Sequence, residues 1–455
     1  MQREKLGSRL GFILLSAGCA IGVGNVYKFP YMVGQNGGGI FVLIYLFFLV
    51  ALGIPVMTME FATGRAAQKS PVLIHKELEP KGSKWHVHGY AALAGNILLM
   101  MFYTTIAGQM LCYFWNSAIG TFKGMDATVI KATNDSLNAS PANQVIFMAI
   151  IVIAGFLVCS FSLKGGLERF SKIMMGALLV IMIAMVVNSF FLSGIGEGLN
   201  FYLVPSLDRM KEVGVVKVIS DAMNQAFFTL STGIGSMAIF GSYINKDRAL
   251  LGESANIAIL DTSVAFMAGL IIFPACFTYN IPQDEGMNLI FLTLPNVFNQ
   301  MPLGRLWGSL FFLLMTFAAF STVIAVFENI IACVRDLTGW SRRKTSIVGC
   351  ISILILSLPA ALSANLLKDV TIFGRDFMGL EDFAVSNVLL PLGSLAFVLF
   401  CTTRYGWGWK NFTAEANTGK GAKIKNWMRV YMTFVLPILV FAVFALGIYN
   451  AFFAS

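Results

Sequence analysis

Two stretches of the chain place glycine beside hydroxyl and amide side chains within apolar surroundings. One is Gly18-Cys19-Ala20-Ile21-Gly22-Val23-Gly24-Asn25, and the other is Thr229-Leu230-Ser231-Thr232-Gly233-Ile234-Gly235-Ser236. Glycine lets the backbone leave the helix and expose carbonyl oxygens, to which Asn25, Thr229 and Ser231 add amide and hydroxyl oxygens. Sodium is a hard cation that takes about five or six oxygen ligands, and such a set supplies them without fixed charge. The N-terminus of the half-helix beyond each break favours a carboxylate, and an amino acid carries one. Three further carboxylates, Glu60, Asp261 and Glu328, lie inside apolar stretches. Charge is costly there, so each is a functional candidate. The three histidines, His75, His86 and His88, fall in one polar connection and read as a solvated loop.

The elements that must position these residues are membrane helices. Of the residues 57% are hydrophobic and only 12% charged, with a mean hydropathy of +0.75, which excludes a soluble protein. Apolar stretches long enough to cross a bilayer are expected at 11–35, 40–64, 88–119, 145–162, 170–193, 219–243, 253–279, 304–335, 345–364, 378–402 and 430–452, hereafter spans 1 to 11. Placing Arg3, Lys5 and Arg9 in the cytoplasm puts Arg342-Arg343-Lys344 and Lys420, Lys423 and Lys425 on the same side. The formal charge of +9 is thus a topology signal rather than a nucleic-acid footprint. Seven cysteines without a C-x-x-C pair read as small buried hydrophobes. The whole chain, 1–455, is expected to be one membrane domain. Its two glycine-broken spans, 1 and 6, sit five spans apart, where an inverted repeat places equivalent helices. The expected fold is therefore all-α and built as a 5+5 inverted repeat, with repeats at about 1–193 and 219–402 and an extra helix at about 430–452.

Arg3 to Pro30 with Gly22-Val23-Gly24-Asn25, then Asn36-Gly37-Gly38-Gly39, resembles the opening of a neurotransmitter:sodium symporter. The likeness continues through Gly53-Ile54-Pro55 to Glu60, Gly64-Arg65, Gly166-Leu167-Glu168-Arg169-Phe170 and Gln225-Ala226-Phe227-Phe228-Thr229-Leu230-Ser231. It covers almost the whole chain, and eleven spans resemble the family's shorter bacterial members. The resemblance implies sodium-coupled symport of a zwitterionic hydrophobic or aromatic amino acid by alternating access.

The first sodium would lie among the Ala20 carbonyl, Asn25, Thr229, Asp261 and the substrate carboxylate. The second would lie among the carbonyls of Gly18, Ile21 and Ala318 and the hydroxyls of Ser321 and Thr322. Substrate would be lined by Cys19, Ala20, Val23, Gly24, Leu99, Tyr103, Phe228, Thr229, Ser231, Ile234, Thr322 and Val326. Glycine at position 22, where monoamine carriers have aspartate, implies a substrate that brings its own carboxylate. Lys28 would face Asp382 in an outer gate. Arg3 would pair with Asp336, with Tyr243 nearby, in an inner one. Glu60 would brace the unwound part of span 1, and Gln225 would orient Asp261. Chloride is not expected, because Ala265 stands where chloride-dependent members carry serine. The resemblance further implies a multi-pass protein of the inner (plasma) membrane with a cytoplasmic N-terminus, present as a monomer or weak homodimer. An ion channel or a substrate-binding transceptor of the same fold is the alternative reading. No nucleophile and base, metal-spaced histidines or nucleotide loop supports an enzyme.

Overall fold

Hydrocarbon offers a backbone N–H or C=O no partner, so a chain this apolar satisfies its own backbone as helix. The computed structural model describes residues 4–279 and 289–452, which form helices with two isolated β-bridges and no strand. Among the described residues nine helices are long and apolar enough to cross a membrane: Gly39–Ala67, His86–Ile119, Pro141–Ser160, Leu163–Ser189, Leu250–Thr278, Gly304–Thr338, Arg342–Leu362, Phe377–Thr402 and Met428–Phe452. A tenth crossing is the bent pair Arg9–Ala20 and Gly24–Gln35, whose halves meet at 58°. Span 1 is thus broken where Gly22 and Gly24 stand.

Span 6 is likewise broken at its glycines, and it begins at 215 rather than 219. It is two helices, Val215–Thr229 and Ser236–Gly241, and neither is long enough to cross alone. The cause lies in the six residues between them. Ser231 (φ 51°), Gly233 (φ 109°) and Gly235 (φ 73°) are all left-handed, a conformation that ends a right-handed helix. Gly233 adopts it without Cβ strain, whereas Ser231 bears that strain as an L-residue.

Burial orders the helices from centre to rim. The apolar window of Gly304–Thr338 is 83% buried and that of Met428–Phe452 only 28%, so span 8 is a central pillar and the last helix a peripheral one. Phe434, Ile438 and Phe441 of that last helix are exposed where lipid would cover them. Close helix crossings use glycine. A methyl at Gly64 of span 2 would collide with the Ala238 carbonyl, and one at Gly241 would stand 2.5 Å from the Phe61 carbonyl. Span 2 and the second half of span 6 are therefore backbone-to-backbone neighbours. Gly64→Ala is expected to cost about 1–3 kcal/mol by forcing that pair apart. Thermal unfolding in detergent measures it, with Gly176→Ala as control because a methyl there meets nothing within 4 Å. Equal midpoints for the two variants would refute the close crossing.

The histidines correct the solvated-loop reading. His75 is fully buried in Pro71–Leu78, a short helix that folds back beneath the start of span 3. Its ring lies 4.6 Å from that of His88 and against Phe397 and Phe400. Burial, with His88 beside it, holds the His75 imidazole well below its usual range. His86 and His88 are partly exposed, and His86 bonds Glu79 at 2.7 Å. All seven cysteines are free, and six are buried.

Candidate functional site

The two breaks face each other across the middle of the molecule. Asn25 follows the break in span 1, Thr229 ends the first half of span 6, and Asp261 lies mid-helix in Leu250–Thr278. All three are buried. Asn25 Nδ2 donates to Asp261 Oδ1 (2.8 Å), to the Asp261 carbonyl (3.2 Å) and to Thr229 Oγ1 (3.3 Å). Thr229 Oγ1 in turn donates to Asp261 Oδ2 at 3.0 Å, and Gly22 N–H donates to Asn25 Oδ1 at 3.2 Å. Among the described residues no basic side chain pairs with Asp261. Neutral donors alone surround this buried carboxylate, an arrangement that leaves its charge to be balanced by a cation. Ala20, also buried, ends the first half-helix beside this cluster.

The second oxygen cluster joins span 1 to span 8. Ser321 Oγ donates to the Ile21 carbonyl (3.2 Å) and to Ala318 in its own helix (2.8 Å). Thr322 Oγ1 reaches the carbonyls of Gly18 (3.5 Å), Cys19 (3.3 Å) and Ile21 (3.5 Å). All five expected positions converge. The Cys19 carbonyl joins them, an oxygen that side-chain reasoning passes over because any residue could supply it.

The residues expected to line the substrate are mostly buried. Cys19, Val23, Leu99, Tyr103, Ile234 and Val326 are buried, while Phe228 and Ser231 are half-buried. Tyr103 Oη accepts the Val23 N–H at 3.1 Å, and Ser231 Oγ donates to the Cys19 carbonyl at 3.4 Å. A Cβ at Gly22 would stand 2.6 Å from Tyr103 Oη and 2.9 Å from Thr322 Oγ1, so no side chain fits at position 22. At Gly24 it would stand 3.2 Å from the Phe228 ring.

Several supporting residues sit elsewhere than expected. Glu60 braces span 6 rather than span 1. Its carboxylate accepts the N–H of Gly233 and, at 3.2 Å, that of Met237, because span 2 lies directly against the second half of span 6. Gln225 is buried, but neither of its side-chain polar atoms has a hydrogen-bond partner among the described residues, so Asn25 and Thr229 orient Asp261 instead. No ion pair joins Lys28 to Asp382 among the described residues. The Lys28 ammonium lies 4.0 Å above the Phe228 ring, and Asp382 accepts Ser386 Oγ at 2.7 Å. Arg3 lies outside the described residues. Asp336 accepts the Ser70 N–H at 2.8 Å, and Tyr243 Oη donates to Glu328 at 2.7 Å.

Glu328 gains a partner that sequence reasoning missed. It is buried and held by both terminal nitrogens of Arg342, whose Nε donates to the Cys159 carbonyl at 2.7 Å. The signal was available, since an intramembrane carboxylate demands an opposite charge. Arg342, in a basic cluster, reads first as a topology marker.

The profile of the sodium:neurotransmitter symporter family matches residues 3–146 and 125–453. The uncharacterised sodium-dependent transporter YhdH of Bacillus subtilis strain 168 is 34% identical over 96% of this chain and 96% of its own. The sodium- and chloride-dependent GABA transporter 2 of Bos taurus is 25% identical over 74% of this chain and 62% of its own. The fold is similar to the crystal structure of MhsT in complex with L-phenylalanine. There the TM-score is 0.87 and the identity 35%, over 98% of this chain and 100% of that one.

Proposed function

The chain belongs to the sodium:neurotransmitter symporter family, and from that premise we propose that it carries a zwitterionic hydrophobic or aromatic amino acid into the cell with sodium, by alternating access. It is a sodium-dependent multi-pass transporter and not an enzyme. The observation that carries the finer reading is Asp261, buried where spans 1, 6 and 7 meet and surrounded by neutral donors only. One sodium would bind Asp261, Thr229, the Ala20 carbonyl, an Asn25 amide turned to present its oxygen, and the substrate carboxylate. A second would bind the carbonyls of Gly18, Ile21 and Ala318 with Ser321 and Thr322, and the Cys19 carbonyl stands within reach. The substrate's side chain would fill the sleeve of Val23, Leu99, Tyr103, Phe228, Ile234 and Val326, whose lack of charge selects an apolar group. The ligand named in the structure of MhsT is such an amino acid.

Spans 1–5 and 6–10 would form the two repeats, with the halves of span 6 together making the eleventh crossing. The protein would lie in the plasma membrane with its N-terminus inside. The direct test is uptake of labelled neutral amino acids into proteoliposomes holding the purified protein. Accumulation is expected under an inward sodium gradient and not with choline outside. Equal uptake in both would overturn the coupling.

Substrate size should depend on position 234. Ile234→Phe is expected to weaken tryptophan and phenylalanine by about tenfold relative to leucine, since filling an apolar pocket by a few methylene equivalents changes selectivity by that order. Competition against labelled leucine measures the ranking. An unchanged order would remove Ile234 from the pocket wall.

A further inference from the structure

Ile234 stands between two left-handed glycines, Gly233 and Gly235, in the segment of span 6 that belongs to neither half-helix. Its carbonyl lies just before the second half-helix, where Ile239 N–H donates to the Gly235 carbonyl at 3.2 Å. A buried carbonyl without a helical partner requires a donor from elsewhere. Asn96 of span 3 supplies it, with Nδ2 2.8 Å from the Ile234 oxygen and 2.7 Å from the Ala92 carbonyl of its own helix. The Asn96 amide oxygen accepts Asn329 Nδ2 of span 8 at 3.0 Å and Ser236 Oγ at 3.4 Å. Both donors and both acceptor positions of this buried amide are thus used, which fixes its orientation and its place. The preceding residue is Gly95, where a Cβ would stand 2.8 Å from Ile234 Cγ2. Span 3 therefore holds Ile234 at two points, pinning the carbonyl through Asn96 and making room for the side chain at Gly95. Leu99, one turn on, lies on the same face.

We infer that Gly95 and Asn96 determine substrate size without touching substrate, by setting how far the Ile234 side chain projects from span 3 into the pocket. This rests on the amino-acid pocket proposed above. Ile234 is β-branched and stiff at χ1, so a methyl at position 95 cannot be absorbed by rotation of its γ-methyl group. With its carbonyl pinned, the side chain is displaced away from span 3 and takes space from the largest substrates.

The test is sodium-driven uptake and competition with alanine, leucine, phenylalanine and tryptophan for the unmodified chain, Gly95→Ala, Asn96→Asp and the double change Gly95→Ala with Ile234→Ala. Gly95→Ala is expected to weaken tryptophan by about tenfold while alanine and leucine stay within about twofold, and Ile234→Ala in the same chain is expected to restore tryptophan. Asn96→Asp removes the amide donor at nearly constant shape and is expected to narrow the difference between leucine and tryptophan. Equal weakening of every substrate, an unchanged ranking, or failure of Ile234→Ala to restore it would overturn the inference. Should Gly95→Ala fail to purify folded, recovery of folding and of ranking in the double variant supports the same contact, and no recovery overturns it. If the unmodified chain accumulates no neutral amino acid under a sodium gradient, the proposed function itself falls, and this inference with it.

Discussion

Asp261→Asn is expected to lower sodium-dependent substrate affinity by roughly 100-fold, the equivalent of about 3 kcal/mol, because it removes the protein's own charge from the first sodium site proposed above. The remaining oxygens of Asn25, Thr229 and the backbone can still surround sodium, but they cannot neutralise it in a low dielectric. The substrate carboxylate then becomes the sole compensating charge. Ala265 lies one turn beyond Asp261 on the same buried helix and cannot hydrogen-bond an anion. The family includes a relative named for dependence on both sodium and chloride. On the sodium site proposed above the Asp261 carboxylate would take the place of such an anion, so uptake by the unmodified protein should be equal in chloride and in gluconate. Asp261→Asn combined with Ala265→Ser should regain activity only when chloride is present. Chloride-dependent uptake by the unmodified protein would refute the idea, and so would an Asp261→Asn variant with undiminished sodium affinity.

Arg342→Gln is expected to destabilise the protein by about 3–5 kcal/mol, because it leaves Glu328 buried and unpaired. Glu328 sits in the most buried helix, held by both terminal nitrogens of Arg342 and by Tyr243 Oη, so no water replaces the lost partner. The double change Glu328→Gln with Arg342→Gln removes both charges and should recover most of that loss. Thermal unfolding of the single and double variants in detergent gives the coupling between the two residues. Additive losses would show that Glu328 and Arg342 act independently and would sink the argument. The pair joins spans 8 and 9 and, through Tyr243, the C-terminal end of span 6, on the side where Glu4 also approaches Arg335 and Arg342 at 3.5 and 3.8 Å.

Much of the architecture was legible before any coordinates. Hydropathy located ten of the crossings, and the glycines of 18–25 and 229–236 located both breaks. The fold brings Asn25, Thr229 and Asp261 into one hydrogen-bonded cluster and Ser321 and Thr322 against the carbonyls of span 1, all residues that the sequence singles out. Their supports were less legible. Glu60 was aimed at span 1, Lys28 at Asp382 and Gln225 at Asp261, and each side chain has a different environment in the folded chain.

The division follows from the range of the forces. Apolar length and glycine content act within one segment, and a bilayer accepts or rejects each segment largely on those terms, so class, breaks and crossings are written in local sequence. Which partner a buried polar group meets depends on which helices touch and at what height, and close packing decides that across tens or hundreds of residues. Gly64 against Ala238 brings Glu60 to span 6, and Gly95 against Ile234 brings Asn96 to a carbonyl 138 positions away. No pattern along the chain announces such a meeting, because the glycine that permits it and the polar group that profits from it lie on different helices.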